Sequence, residues 1–164
     1  MRNILRDGGA QDIAALQQLN YTTGSGGYTN STTPSIWPSK GVITSPYGTR
    51  VDPVTGAASA FHEGVDIADD YGTPIVATAA GTVTFAGYTE GGYGNLVEID
   101  HGNGFVTRYG HNSAVLVTPG MTVKQGQVIA LMGSTGKSTG AHVHYEVRIN
   151  GSAVDPMVFL PISN

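Results

Sequence analysis

Short runs of apolar and β-branched residues, separated by glycine and other turn residues, make up most of the chain after residue 36. Residues 95–100 alternate apolar and polar positions, which is typical of a strand with one buried face. Asn-Gly pairs at 103–104 and 150–151 are typical of tight β-hairpin turns. The pattern therefore predicts an all-β domain whose antiparallel sheet forms a sandwich or an open barrel. The strand-like runs are 42–44, 65–67, 74–79, 81–86, 95–100, 105–109, 115–117, 121–123, 127–131 and 142–149.

The N-terminal part of the chain has a different pattern. Apolar residues at helical spacing predict one short amphipathic helix around residues 10–19. Residues 21–35 are rich in Gly, Ser, Thr and Asn, which predicts a flexible linker. We therefore expect an N-terminal helix and linker over residues 1–35 and a folded domain over residues 36–164.

Composition narrows the possible functions. Charged residues make up 12% of the 164 residues, about half of the usual ~25%. The net charge is -4 with only 8 Lys and Arg, so no basic surface for a nucleic acid is expected. No apolar run approaches the ~18 residues of a membrane span, and the absence of cysteine excludes disulfides, thiolate zinc sites and thiol nucleophiles. Five histidines stand out: His62, His101, His111, His142 and His144.

Two of these histidines, His142 and His144, lie two residues apart on a predicted strand and therefore share one face. Metal coordination is the commonest reason for such a pair, and chance spacing on a solvent-exposed face is the alternative. Between His62 and Asp66, Gly64 permits a tight turn that could bring the imidazole and the carboxylate together. With one strand histidine they would provide three ligands and leave a fourth position open, as in catalytic zinc sites.

The segments HEGVD at 62–66 and HVH at 142–144 resemble the two signatures of the lysostaphin-like zinc metallopeptidases, peptidase family M23, also called LytM-type endopeptidases. The resemblance covers roughly residues 40–160, with its segments in the family's order. It implies a lysostaphin-like fold of the barrel-sandwich-hybrid type, with a groove, and cleavage of peptide bonds in bacterial peptidoglycan. Further matching segments are GTRVDP at 48–53, IDHGNG at 99–104, YGH at 109–111 and GSTG at 133–136.

Position by position, the resemblance implies that His62, Asp66 and His144 hold one zinc ion. It makes His111 and His142 the catalytic pair beside the attacking water. Histidine titrates near neutral pH, so His142 can serve as general base. His111 could orient the water or stabilise the oxyanion, and the division of roles between the two stays open.

Other candidate residues have less specific signals. His101 lies in a predicted hairpin turn, and we expect it to be structural or exposed. Arg50 is a candidate substrate-binding residue, with a structural ion pair to an aspartate as the alternative. We expect Tyr109 and Tyr145 to pack rather than to catalyse. The segment GSTGKS at 133–138 resembles the end of a phosphate-binding loop, but no helix pattern follows it, so we expect a loop beside the groove.

The sequence therefore predicts a zinc-dependent endopeptidase, monomeric, that hydrolyses peptidoglycan stem peptides or cross-bridges outside the cell, in the cell envelope or on a virion. The first residues lack the apolar run of a signal peptide, so the chain could be a fragment of a longer protein. One alternative is a non-catalytic module that binds the cell wall or regulates another hydrolase, although such members typically lose zinc ligands. A second is a latent form in which Asn20 or Asn30 occupies the metal.

Overall fold

The computed structural model describes residues 28–50, 55–56 and 60–164, so the helix predicted around residues 10–19 lies outside the described part. The described chain is nearly all β, apart from one short 3-10 turn at Pro156–Val158, and the predicted all-β fold is confirmed. The described residues contain no helix that is long and apolar enough to cross a membrane. In chain order the strands are β1 (Val42–Ser45), β2 (Gly48–Arg50), β3 (Ala60–His62), β4 (Val65–Ala68), β5 (Pro74–Val76), β6 (Gly81–Thr89), β7 (Gly94–Gly102), β8 (Phe105–Asn112), β9 (Ala114–Val115), β10 (Thr122–Val123), β11 (Val128–Leu131), β12 (His142–Ile149) and β13 (Ser152–Val154).

One large antiparallel sheet organises the described chain. Its strand order is β1-β4-β12-β8-β7-β6-β10, and β13 pairs with β12. A three-stranded sheet, β5-β11-β9, contributes to the main hydrophobic core and carries a second, smaller apolar cluster, and β2 and β3 form a separate two-stranded ribbon. The predicted Asn-Gly hairpins are present, because Asn103 and Asn150 both have positive φ and precede glycines of positive φ. One face of the large sheet thus packs against the hydrophobic core, and the opposite face can carry functional side chains.

Strand β12 shows how the sequence divides these two faces. Val143, Tyr145 and Val147 are fully buried in the core. The alternate residues, which begin with His142 and His144, point to the opposite face because side chains alternate along a strand. The large sheet therefore holds its hydrophobic core on one side and carries its histidines on the other.

A chain of buried polar groups crosses the core below the sheet. His101 is 4% exposed, donates its Nδ1 proton to the carbonyl of Ala80 at 2.8 Å, and lies 2.7 Å from the hydroxyl of Thr107 through Nε2. The Thr107 hydroxyl lies 2.7 Å from that of Tyr109, which also accepts the backbone N–H of Thr78. Buried polar groups of this kind are stable when each has a partner, and His101 is structural rather than exposed.

The described end of the predicted linker is attached to the body. Thr29 pairs with Gln125 through two backbone hydrogen bonds, and Ser31 accepts the N–H of Ala80. The Gln125 side-chain amide donates to the carbonyl of Thr33 and to the hydroxyl of Ser35. Several residues between 29 and 35 are therefore hydrogen-bonded to the body, and the flexible linker over residues 21–35 stays a prediction. The domain boundary near residue 35 stays a prediction.

Candidate metal centre

Neighbouring antiparallel strands place two of the predicted ligands side by side. His144 of β12 lies directly opposite Asp66 of β4. His62 ends β3, and the bend that contains Gly64 returns the chain so that His62 reaches the same aspartate. A Cβ atom at Gly64 would lie 2.3 Å from the carbonyl oxygen of Tyr145, so no other residue fits against β12 here. Gly64 thus lets the segment between His62 and Asp66 pack closely against β12, the strand that carries His144.

The three side chains form a nearly equilateral triangle of donor atoms. His62 Nε2 lies 3.1 Å from both Asp66 Oδ1 and His144 Nδ1, and His144 Nδ1 lies 3.0 Å from Asp66 Oδ1. Zinc bonds of about 2.0–2.1 Å in a tetrahedron hold their ligand atoms about 3.3 Å apart. The triangle therefore has the size and the chemistry of a three-ligand zinc site, and these residues could hold a metal ion together.

Hydrogen bonds on the far side of each ring decide which nitrogen faces the triangle. The carbonyl of Pro46 lies 2.9 Å from His62 Nδ1, and a carbonyl can only accept, so Nδ1 donates to it and Nε2 is the nitrogen that faces the triangle. Glu146 Oε2 lies 2.8 Å from His144 Nε2, so this ring is protonated there and presents Nδ1. With both rings neutral, each would direct an imidazole lone pair toward the carboxylate of Asp66, and a cation between the three groups would stabilise this arrangement.

The titration of the ligands leads to the same conclusion. Burial opposes the charge of the Asp66 carboxylate, but hydrogen bonds and charge interactions with His144 and His62 hold its pKa below the usual value. Burial lowers the pKa of His144, but the hydrogen bonds to Asp66 and Glu146 outweigh it and raise that pKa to about 9. Without a metal, a proton therefore supplies the positive charge between His144 and Asp66. A metal ion must displace this proton, because ligating imidazoles bind metals in their neutral form.

The predicted catalytic residue His111 stands beside the triangle in an unusual backbone conformation. It lies near the end of β8 with φ of 66°, in the left-handed region that residues other than glycine rarely adopt. Its backbone N–H donates to the carbonyl of Tyr93, and its Nδ1 donates to the carbonyl of Thr135 at 2.7 Å. Burial lowers the pKa of His111 to about 4 despite that backbone hydrogen bond. His111 is therefore neutral near pH 7, and its Nε2 is an acceptor.

The second predicted catalytic residue, His142, is fixed in the same way. Its Nδ1 donates to the carbonyl of Gly140 at 2.9 Å, with the Ser138 hydroxyl 3.2 Å away. Its Nε2 lies 3.7 Å from Asp66 Oδ1, on the edge of the triangle. The rings of His142 and His111 have centroids 4.6 Å apart. Two acceptor nitrogens thus flank the open side of the donor triangle.

A group of residues behind His144 was not predicted from the sequence. Glu146 is 1% exposed and accepts hydrogen bonds from His144, from the hydroxyl of Tyr93 at 2.6 Å and from Nε of Arg148 at 2.8 Å. A signal was present, because His142, His144, Glu146 and Arg148 follow one another at every second position and so share a strand face. The contribution of Tyr93, from the adjoining loop, has no such signal.

The remaining candidates lie in or beside this arrangement. The loop over 133–138 runs beside the groove, with Thr135 bonded to His111 and Gly133 bridged to His142. Tyr109 is fully buried in the core, as is its neighbour across the sheet, Tyr145.

Two further predictions concern residues away from the donor triangle. The side chain of Arg50 lies outside the described part of the chain, and its substrate-binding role stays a prediction. Asn30 stands between residues bonded to Gln125 and Ala80, near the beginning of β8, whereas His111 lies near the end of that strand. Asn30 therefore does not reach the donor triangle, and Asn20 lies outside the described residues.

Comparison with protein families and curated relatives gives consistent matches. The family model described as peptidase family M23 matches residues 60–156. The DD-carboxypeptidase/endopeptidase Mpg of Neisseria meningitidis is 49% identical over 120 residues, which are 73% of this chain and 27% of that protein. The murein hydrolase activator NlpD of Escherichia coli is 40% identical over 125 residues, 76% of this chain and 31% of NlpD. The chain thus spans less than a third of the length of either relative.

Solved structures share the fold. A zinc-containing peptidase from Vibrio cholerae superposes with a TM-score of 0.68 at 36% identity, over 79% of this chain and 39% of that one. The catalytic domain of lysostaphin from Staphylococcus simulans superposes with a TM-score of 0.65 at 34% identity, over 72% of this chain and 90% of that domain. The predicted lysostaphin-like architecture is confirmed.

Proposed function

Because the chain belongs to peptidase family M23, we propose that it is a zinc-dependent endopeptidase that hydrolyses peptide bonds of bacterial peptidoglycan. The observation that carries the proposal is the donor triangle of His62, Asp66 and His144 with the rings of His111 and His142 beside it. A metal site with three protein ligands leaves a coordination position open, which is the arrangement of catalytic rather than structural zinc.

In this proposal His62, Asp66 and His144 hold the ion. Bound zinc supplies a Lewis acid, which polarises the scissile carbonyl and makes water acidic enough to attack near neutral pH. Nδ1 of His142 donates to the carbonyl of Gly140, which leaves Nε2 as the ring atom that can accept a proton from the attacking water. The same atom can then return that proton to the leaving amine.

The second histidine, His111, supports the reaction as an acceptor. Its proton is held at Nδ1 by the carbonyl of Thr135, so Nε2 can accept a hydrogen bond from the water and orient it. In this neutral state the ring has no proton to donate to an oxyanion. The geometry thus favours orientation of the water by His111 and proton transfer by His142.

Peptidoglycan is proposed as the substrate because the named relatives include a DD-carboxypeptidase/endopeptidase and a murein hydrolase activator. A protein that acts on this polymer works where the polymer is, so we place the chain in the cell envelope, outside the cell or on a virion. We propose that it acts as a monomer on stem peptides or cross-bridges.

A regulatory module is the second candidate, favoured by the 40% identity to NlpD. Such a module would bind the wall or activate another hydrolase without cleaving peptides itself. The five residues of the proposed site are all present in this chain, and their side chains meet in one place: His62, Asp66, His111, His142 and His144. This complete set supports catalysis.

The test combines metal analysis with hydrolysis. We expect the purified protein to contain one zinc per chain and to lower the turbidity of a peptidoglycan suspension. Mass spectrometry of the released fragments should identify newly formed amino and carboxyl ends at one type of peptide bond. Zinc bound one to one without any released fragment would contradict the enzymatic proposal and support the regulatory module.

A further inference from the structure

One buried carboxylate, Glu146, stands directly behind a ligand of the proposed metal site. It lies two residues beyond His144 on the same strand face and bonds the ring nitrogen that points away from the donor triangle. We propose that Glu146 is a positioning residue that makes His144 bind the metal through Nδ1 and strengthens that ligand. This inference rests on the proposed zinc site.

The orientation of His144 differs from that of the other histidines at the site. His62, His111 and His142 each hold their Nδ1 proton on a backbone carbonyl and present Nε2. His144 is reversed, with Nε2 on Glu146 Oε2 at 2.8 Å and Nδ1 toward the donor triangle. A reversed ring needs its own partner, and here that partner is a charged side chain rather than a carbonyl.

The carboxylate of Glu146 is held in place from several sides. Tyr93 donates its hydroxyl to Oε2 at 2.6 Å, and Arg148 donates Nε to Oε1 at 2.8 Å. Its two oxygens are thus bonded to side chains of different elements, which fixes the orientation of the carboxylate.

This arrangement costs stability unless it serves a purpose. An ionised carboxylate taken out of water loses its hydration, and an apolar residue of similar size often replaces a buried ion pair without loss. A carboxylate that accepts the distal proton of a ligating histidine fixes the tautomer and makes the imidazole a stronger donor. Glu146 lies in the one position of β12 from which it can do so.

Arg148 extends the same support toward the other ligands. Its guanidinium also donates to Glu63, which lies in the bend between His62 and Asp66. The carboxylate behind His144 and the segment that carries the other two ligands therefore share one arginine. This connection helps to hold the three donor atoms at a common distance.

The experiment compares Glu146→Gln with a matched control, Glu98→Gln. Glu98 lies two strands away, on β7, and it also binds an arginine, with Nε of Arg108 at 2.7 Å. Arg108 in turn lies 3.8 Å from Glu146 Oε1, so this control changes a neighbouring ion pair but leaves the bond of Glu146 to His144 in place. Zinc affinity is measured by competition with a chromophoric chelator, and the melting temperature of the zinc-free protein is recorded for each variant. We expect Glu146→Gln to weaken zinc binding by about 10- to 100-fold and Glu98→Gln to leave it unchanged.

A second readout follows the His144 ring itself. In the zinc-loaded protein, the Nε2 proton of His144 should be protected from exchange with solvent in the wild type and exchange faster in Glu146→Gln. A purely structural role would lower the melting temperature but leave the zinc affinity of the folded protein unchanged, and that result would overturn the inference.

The outcomes separate this inference from the proposed function. If the wild type does not bind zinc, the proposed metal centre fails and the inference fails with it. If the wild type binds zinc and Glu146→Gln binds it equally well, only the role of Glu146 is refuted. Should Glu146→Gln not fold, Tyr93→Phe removes one donor to Glu146 and keeps the backbone carbonyl that bonds His111. A smaller loss of zinc affinity supports the inference in that variant, and no loss overturns it.

Discussion

The histidines of this site have the same side chain, and their pKa values differ because their neighbours differ. His144 lies between two carboxylates, whose hydrogen bonds raise its pKa to about 9 against the effect of burial. His111 is buried against a carbonyl, and its pKa falls to about 4. His144, which lies between two carboxylates, is placed to bind a cation, and the neutral His111 is placed to accept a hydrogen bond from water. The imidazole ring thus supplies both functions, depending on what stands behind it.

This division predicts different effects for two alanine variants on the same strand face. His144→Ala removes a ligand, and we expect it to lose bound zinc and peptidoglycan hydrolysis together. His142→Ala removes the proposed base, and we expect it to keep one zinc per chain and to lose activity by about 10²- to 10⁴-fold. Metal analysis and fragment release measure both. Normal turnover of His142→Ala would show that the assigned base is wrong.

The buried histidine of the core predicts a dependence of stability on pH. Burial lowers the pKa of His101, so between its folded pKa and the unfolded value of about 6.5 the unfolded chain binds more protons. The contribution of a neutral His101 to stability is therefore complete above that unfolded value and is lost as the pH falls through it toward the folded pKa.

We expect His101→Gln to cost about 1–3 kcal/mol near neutral pH, because its buried partners lose hydrogen bonds. The same variant should lose less additional stability between about pH 7 and about pH 5 than the wild type does. Urea unfolding at both pH values measures this difference. An equal loss in both proteins would contradict the assignment of this titration to His101.

Among the elements, the pair of strands β4 and β12 organises the site. The register that sets His144 opposite Asp66 also carries Val143 and Tyr145 into the core, so the hydrophobic pattern fixes the ligand positions. A slip by one residue would turn every side chain of β12 to the wrong face. The positions of the proposed ligands therefore depend on the same strand register as the core packing beneath them.

The contact of Gly64 with β12 tests this dependence. In Gly64→Ala the new Cβ would lie 2.3 Å from the carbonyl oxygen of Tyr145 and 3.0 Å from Cγ of Glu146. We expect a loss of about 1–3 kcal/mol in the free energy of unfolding and weaker zinc binding, since the loop must move away from the strand. Gly91→Ala is the control, because its Cβ would meet only one side-chain atom at 3.9 Å. Equal stability of the two variants in thermal unfolding would refute the close contact.

The strand pattern was the most predictable feature of this protein. Alternation over 142–149 predicts both the strand and the shared face of its histidines, because the period of two is a property of the backbone. The tautomers were not predictable, since they depend on carbonyls of Pro46, Thr135 and Gly140 that distant loops bring to the site. The close contact of Gly64 is likewise a tertiary property that a local turn rule does not contain.

Across the whole described molecule, the site and the attachment of the N-terminal segment lie at different ends of the large sheet. Gln125 bonds residues 29–35 and the carbonyl of Thr78, at the end near His101. The histidines of the site lie at the other end of the same strands. Changes in this segment should therefore affect stability without a direct effect on the reaction.

We expect Gln125→Ala to lower the free energy of unfolding by about 1–3 kcal/mol, since the buried carbonyl of Thr78 and the partners at residues 29, 33 and 35 lose their hydrogen bonds. Asn30→Ala should leave both stability and hydrolysis unchanged, because Asn30 is exposed and remote from the donor triangle. Thermal unfolding and fragment release are measured side by side for both variants. An increase in activity of Asn30→Ala would instead favour the latent form.

The carbonyls that hold three of the site histidines have a consequence for how this protein can diversify. A backbone oxygen is present whatever side chain a residue carries, so substitutions at 46, 135 and 140 that keep the loop conformation also keep the histidine tautomers. If the proposed function is correct, the walls of the groove can therefore acquire new side chains, and with them new preferences for peptide sequence, while the proposed reaction centre stays intact. Peptide preference can therefore change by mutation independently of the histidine arrangement. A directed-evolution library confined to the loop side chains would sample new peptide preferences and keep that arrangement.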